Sequence, residues 1–154
     1  MTLARFIASG FGSGLAPKAP GTAGSLAAVL IGAALMWLSP AALPVAVLLA
    51  SLGGLWAVSA ARVDGDPGWV VIDEFAGMWI AMLGLARPTA LGLIAAFLLF
   101  RLLDIAKPGP VGWADRQGGA AGIMADDIIA GAIAAGILWA VRSRFPGLLD
   151  GELR

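Results

Sequence analysis

AALPVAVLLASLGGLWAVSAA, residues 41–61, runs its whole length without a charged side chain. A helix needs about 20 mostly apolar residues to cross the roughly 30 Å hydrocarbon core of a bilayer, and this stretch supplies them. Four further apolar segments flank it, at residues 24–38, 69–86, 89–103 and 123–141. The last reaches spanning length only if its early carboxylates are included. The first is short, and the segment at 69–86 carries Asp73 and Glu74. The expected fold is an all-α polytopic transmembrane bundle of about five membrane segments in a single domain, residues 1–154. Four spans plus a re-entrant or interfacial piece is the alternative. Leu3, Phe6, Ile7 and Phe11 fall roughly on one helical face, which adds a short N-terminal interfacial helix. Gly24, Ala28 and Gly32 repeat at the small-xxx-small spacing that lets membrane helices approach closely. The tail, residues 142–154, reads as a polar, frayed end.

Composition points the same way. The chain has 154 residues, 60% hydrophobic and 13% charged, with a mean hydropathy of +0.91. A soluble domain carries about a quarter charged residues, and a chain this short cannot hide so much apolar surface in one core. The formal net charge is zero, so electrostatics gives no case for a nucleic-acid partner. There are no cysteines and no histidines. Thiolate nucleophiles, Cys-type zinc sites and imidazole chemistry are therefore excluded. Catalysis has to run on Asp, Glu, Lys, Arg, Ser, Thr or a bound ion.

Threading the segments alternately through a bilayer brings the polar residues to one side. That side receives Pro20-Gly21-Thr22, Asp73-Glu74, Arg101, Asp104, Lys107, Asp115-Arg116 and Asp126-Asp127. Six of the ten acidic residues lie in this set. The opposite side receives Ser39-Pro40 and Arg87-Pro88. Ionisable groups at membrane depth cost several kcal/mol unless paired or solvated, so their default reading is a functional site. Lys18, Arg62, Lys107 and Arg116 also fall on the motif-bearing side, which makes it the expected cytoplasmic face.

Two adjacent acidic pairs open apolar helices. Helix-dipole stabilisation explains one carboxylate at a helix start, but two per helix exceed what a cap requires. Close carboxylates repel one another, so a cation or a basic residue has to neutralise them. Without histidine, a hard cation with oxygen ligands fits: Mg²⁺ before Ca²⁺ or Mn²⁺. Arg101, a turn inside the fourth segment, calls for a phosphate or carboxylate partner. Lys107 alone reads as a snorkelling cation, and Asp115-Arg116 as a solvated pair. Gly21 and Thr22 open the first segment, where backbone N–H groups favour an anion. A cation transporter or channel subunit is the rival reading, but it requires carboxylates distributed through the bilayer.

Four runs together resemble the phosphatidylglycerophosphatase A family. They are Gly12-Ser13-Gly14-Leu15 with Pro20-Gly21-Thr22-Ala23-Gly24-Ser25, Asp73-Glu74-Phe75-Ala76-Gly77-Met78-Trp79, Phe100-Arg101-Leu102-Leu103-Asp104-Ile105-Ala106-Lys107-Pro108, and Gly122-Ile123-Met124-Ala125-Asp126-Asp127-Ile128-Ile129-Ala130-Gly131. They come in the same order and cover nearly the whole chain. The resemblance implies a bacterial inner-membrane enzyme of phospholipid biosynthesis. It would remove the terminal phosphate of phosphatidylglycerophosphate with Mg²⁺, giving phosphatidylglycerol. On that reading Asp73, Glu74, Asp126 and Asp127 hold the metal, with Asp104 beside them in the catalytic set. Gly21, Thr22, Arg101, Lys107 and Arg116 bind the phosphate. Water and an aspartate both remain open as the nucleophile. Family members often carry His before the glycine pair and before the Asp-Glu motif. Here Asp115-Arg116-Gln117 runs straight into Gly118-Gly119, so the resemblance implies chemistry without those imidazoles.

Overall fold

The computed structural model describes residues 1–63 and 65–151. Among them there are seven α-helices, one 3₁₀ turn and no strand. The helices are α1 (Leu3–Ala8), α2 (Pro20–Leu38), α3 (Ala42–Ala60), α4 (Ile72–Met82), α5 (Ala90–Ala106), α6 (Pro110–Asp115) and α7 (Gly119–Arg144). The 3₁₀ turn is Ser13–Leu15. By length and composition, α2, α3 and α7 are apolar enough to cross a membrane. Exposed Leu30, Trp37, Leu48, Leu49 and Leu52 face outward from α2 and α3. Such a surface suits lipid rather than water.

The two remaining apolar segments differ from their hydropathy profiles. α5 has 17 residues, at the lower limit for a span. The segment at 69–86 contracts to an α4 of 11 residues, about 16 Å at 1.5 Å per residue. Val70 and Val71 stay outside the helix, because the Val71 N–H donates to the Ala8 carbonyl at 3.0 Å. At the other end, Leu83 N–H turns back to Trp79 and Ile80. α4 is the most enclosed helix: Ile72, Phe75, Ala76, Met78, Ala81 and Met82 are all nearly inaccessible. α7, α3 and α2 pack around it.

Small residues make this enclosure close. A Cβ on Gly24 would press on Val71, and one on Gly32 would press on Met82 and Trp79. Ala28 is fully buried between them, and its carbonyl accepts from Trp79 Nε1 at 2.8 Å. The Gly24–Ala28–Gly32 stripe of α2 therefore faces α4. On the other side of α4, Gly77 lies against Asp127 and Gly131 of α7, and Gly84 lies against Ala135. Matching order along both chains means that α4 and α7 run parallel.

The described part of the tail, residues 142–151, is not frayed. Helix α7 continues to Arg144, Arg142 Nη1 donates to the Gly84 carbonyl at 3.2 Å, and Leu149 is 5% exposed. The Thr89 hydroxyl also donates to the Leu149 carbonyl. Burial of one leucine and two hydrogen bonds outweigh the polar composition of the segment.

The starts of α2, α4 and α7 and the end of α5 meet at one end of the bundle. Ser39, Pro40, Leu83, Leu85 and Ala86 gather at the other. In a chain without cysteine, single replacements map this cleanly. Lys18→Cys and Gln117→Cys should label from one side of a sealed vesicle, and Ser39→Cys from the other. Labelling of Lys18→Cys and Gln117→Cys from opposite sides would break the one-ended arrangement.

Candidate active site

The contact between Gly77 and Gly131 sets the site. Each glycine lies four residues, one helical turn, after an aspartate: Asp73 on α4 and Asp127 on α7. With the two backbones touching at the glycines, parallel helices bring the aspartates together one turn nearer the end. Glu74 follows Asp73 around α4. One carboxylate oxygen from each of Asp73, Glu74 and Asp127 lies within 4.8 Å of the others. Asp73 is 8% exposed and Asp127 3%.

These three carboxylates are poorly served by protein donors. Asp73 Oδ1, Glu74 Oε2 and Asp127 Oδ2 are buried without a hydrogen-bond partner. Arg101 Nη1 stands 3.8 Å from Glu74 Oε1 and also pairs with Asp104 Oδ2. Orphaned buried acceptors are costly. Three carboxylate oxygens within 4.8 Å of one another, with one guanidinium at their edge, fit a hard divalent cation that takes oxygen ligands.

The cluster floors a cleft of about 360 Å³. Pro20 and Gly21 of α2, Arg101, Asp104 and Ile105 of α5, Lys107, and Asp126 of α7 complete its walls. Gly21 has a steric reason to be glycine. A Cβ there would collide with Glu74 Oε1 and lie 3.5 Å from both terminal nitrogens of Arg101. The missing side chain lets the Glu74 carboxylate come up against the start of α2 beside the guanidinium.

Lys107 ends α5 in the left-handed backbone region, at φ 45°. That conformation costs a non-glycine residue of order 1–3 kcal/mol, so its surroundings must hold it. Its Nζ pairs with Asp115 of α6 and donates to Asp126 Oδ2 at 2.8 Å. Partial burial works against the ammonium, but the hydrogen bonds to Asp115 and Asp126 outweigh it and hold Lys107 above the ordinary lysine range. The lysine thus ties α5, α6 and α7 together. Asp126 Oδ1 also accepts from the Asp127 N–H at 3.0 Å.

The structure divides the sequence candidates. Asp73, Glu74 and Asp127 meet at the cleft floor, and Asp104, Arg101 and Gly21 stand on the walls beside them. Asp126 and Lys107 reach its wall as a pair, and Asp126 stands outside the three-carboxylate group. Thr22 and Arg116 do not line the cleft; Arg116 is exposed at the end of α6, and Lys107, not Arg116, is the partner of Asp115. Asp66 does line it. By sequence, Asp64-Gly65-Asp66-Pro67-Gly68 is a turn between the second and third apolar segments; Asp64 itself lies outside the described residues. Burial raises the Asp66 carboxyl above its usual range, with Lys107 opposing and Asp115 and Asp104 adding to the rise. A second acidic residue beside the Pro67-Gly68 turn was the available signal.

Comparison with known proteins adds a family. The profile of the family described as Phosphatidylglycerophosphatase A matches residues 6–142. Phosphatidylglycerophosphatase A of Escherichia coli (strain K12) is 41% identical over 149 residues, covering 94% of this chain and 87% of the relative. The protein of the same name from Haemophilus influenzae is 36% identical over 141 residues, covering 88% and 86%. A Bacteroides thetaiotaomicron protein, assigned provisionally as a phosphatidylinositol-3-phosphatase, is 42% identical over 137 residues, covering 81% and 84%. No solved structure matches the chain significantly.

Proposed function

Since the chain belongs to the phosphatidylglycerophosphatase A family, we propose that it removes the terminal phosphate of phosphatidylglycerophosphate with the help of Mg²⁺, giving phosphatidylglycerol and inorganic phosphate. The observation that carries the metal is the group of three buried carboxylates with partnerless oxygens beside Arg101. Asp73, Glu74 and Asp127 would hold the ion. When bound, Mg²⁺ would supply positive charge to the phosphoryl oxygens and lower the pKa of a bound water.

The protein's own residues account for the remaining steps. Arg101 offers a guanidinium to the equatorial phosphoryl oxygens, where negative charge gathers in the transition state. Asp104 holds that guanidinium in place through their ion pair. Gly21 lines the cleft beside Arg101, and its missing side chain lets Glu74 reach that wall. Lys107 and Asp126 fix the wall and add a cation near the mouth. Hydrolysis breaks the P–O bond to the glycerol headgroup. Water supplies the new oxygen on phosphorus, one of its protons passes to a carboxylate of the cleft, and the departing glycerol oxygen takes up a proton to leave as the hydroxyl of phosphatidylglycerol. Acidic residues clustered at the cleft end of the bundle support an enzyme over a transport path, which needs charge along its length.

The proposed setting is the bacterial inner membrane, with the cleft on the cytoplasmic face. Lys18, Arg62, Lys107 and Arg116 on the cleft side support that orientation.

Phosphate release by the purified protein in detergent tests the reading. Phosphatidylglycerophosphate should be hydrolysed, and phosphatidylinositol 3-phosphate, suggested by the Bacteroides relative, should be the poorer substrate. A strong chelator should lower the rate at least about ten-fold, and Mg²⁺ should restore it. Full activity after rigorous metal removal would exclude the metal. Failure to release phosphate from phosphatidylglycerophosphate under any metal condition would exclude the substrate.

A further inference from the structure

The cleft opens between two antiparallel helices whose next turns form an apolar groove. Pro20 and Gly21 begin α2 and line the cleft, as do Arg101, Asp104 and Ile105 near the end of α5. Going away from the cleft along the same helix pair, Leu26 and Val29 of α2 and Leu93, Ile94, Phe97 and Leu98 of α5 line a groove of about 150 Å³. Leu26 lies five residues beyond Gly21, and Leu98 three residues before Arg101. At 1.5 Å per residue the groove therefore begins roughly 5–8 Å along the helices from the cleft and continues away from it. No lining residue carries a charge or a hydrogen-bonding side chain. Its floor is the nearly buried Val29, and its lips are the exposed Leu26, Ile94 and Leu98.

We infer that this α2–α5 groove seats one acyl chain of the phospholipid substrate, so that lipid enters the cleft sideways from the bilayer between α2 and α5. The inference rests on the proposed lipid-phosphatase function and assigns the chain-binding part of the same site. Three features point to a chain rather than to lipid contact in general. The groove shares both of its helices with the headgroup cleft. It begins about one helical turn from Arg101, as the glycerol linkage between phosphate and chain requires. It runs lengthwise between α2 and α5, from Leu26 and Leu98 to Val29 and Leu93. An apolar cavity lined by Phe11, Leu49 and Trp79, between α1, α3 and α4, shares only α4 with the cleft, and the groove of about 350 Å³ between α5 and α7 meets α7 only from Ile137 onward, ten residues or roughly 15 Å beyond Asp127.

Leu98→Trp and Leu26→Trp would fill the groove from its exposed lips, where folding tolerates bulk. Leu49→Trp would fill the other cavity, and Leu52→Trp would change an exposed leucine of α3. Each protein is assayed on long-chain phosphatidylglycerophosphate and on a water-soluble phosphomonoester with the same headgroup and no acyl chain. Expected for both groove variants is a fall of at least about ten-fold in kcat/KM for the long-chain substrate, carried by KM, with the chain-free substrate unchanged. The two α3 variants should match the unmodified protein on both. A substrate carrying a photoactivatable group midway along one acyl chain should label peptides of α2 and α5 in the unmodified protein, and the label should shift away in Leu98→Trp. Equal behaviour of groove and α3 variants, or a chain-dependent loss in Leu49→Trp alone, would overturn the groove. Activity of the unmodified protein on either substrate keeps that failure separate from failure of the phosphatase reading, and inactivity on both would overturn the two together.

Discussion

Asp73→Asn and Asp127→Asn should each lower kcat by about a thousand-fold, which is about 4 kcal/mol of transition-state stabilisation. The amide keeps the size of the carboxylate and one acceptor oxygen. It loses the charge that a hard cation requires of its ligand. Folding should be spared or slightly improved, because a desolvated carboxylate with a partnerless oxygen is removed. Catalysis and stability thus move in different directions at these two positions. Asp73 lies in the first turn of α4, so its other role would be to complement the helix dipole. That role is worth about 0.3–1 kcal/mol of stability and nothing in turnover. Asp150→Asn, at the far end of the bundle, should leave kcat unchanged. Phosphate release at matched protein and Mg²⁺, read with thermal unfolding in detergent, checks all three. Near-normal turnover in both cleft variants would reduce the acidic cluster to structure.

Gly131→Val should destabilise the protein by about 3 kcal/mol and remove activity as well. A Cβ on Gly131 would collide with the Gly77 carbonyl oxygen, and the neighbouring atoms are backbone, which cannot swing aside. The helices must part, and Asp127 moves with α7. A 1 Å displacement of a catalytic group costs about a hundred-fold in rate, so even the folded fraction should be slow. Gly136→Ala is the matched control on the same helix. Nothing lies within 4 Å of the added Cβ there, and the gain in helix propensity is about 0.8–1.0 kcal/mol. A Gly131→Val protein that unfolds at the normal temperature and turns over normally would disprove the glycine seam as the origin of the site geometry.

Different parts of this protein are legible in its sequence to different depths. α3 follows from hydropathy, since Pro44 falls in its first turn, where a missing N–H does no harm, and the apolar run carries the helix across Gly53-Gly54. The α2 stripe of Gly24, Ala28 and Gly32 was readable as a packing face, though not as the face against α4. The length of α4 was hidden, because hydropathy cannot tell that Val71 bonds to the Ala8 carbonyl. The short α6 could have been found, since Pro110 takes the first helical position where its missing N–H does no harm. The convergence of acidic residues at one end followed from alternation of spans. Their division did not. Asp126 and Asp127 are adjacent, so they point about 100° apart. Choosing the one that faces Asp73 requires the register of α7 against Gly77, and choosing the one that meets Lys107 requires the left-handed turn at the end of α5. Arg116 and Thr22 lie beside the right motifs in sequence, but the helix ends direct them away from the cleft.

The short α4 touches protein on nearly all sides, and this separates the reaction from the bilayer's mechanical state. Thinning, thickening or stretching of the lipid acts on helices that face it, here α2, α3, α5 and the outer side of α7. Two of the three clustered carboxylates sit on a helix that such forces reach only second-hand, through packed neighbours. The third sits on α7, clamped to α4 at Gly77 and Gly131. The cluster therefore behaves as a rigid insert within a deformable sleeve. Changes in membrane composition would alter how readily a lipid slips between α2 and α5, and would leave the spacing of the carboxylates as it is.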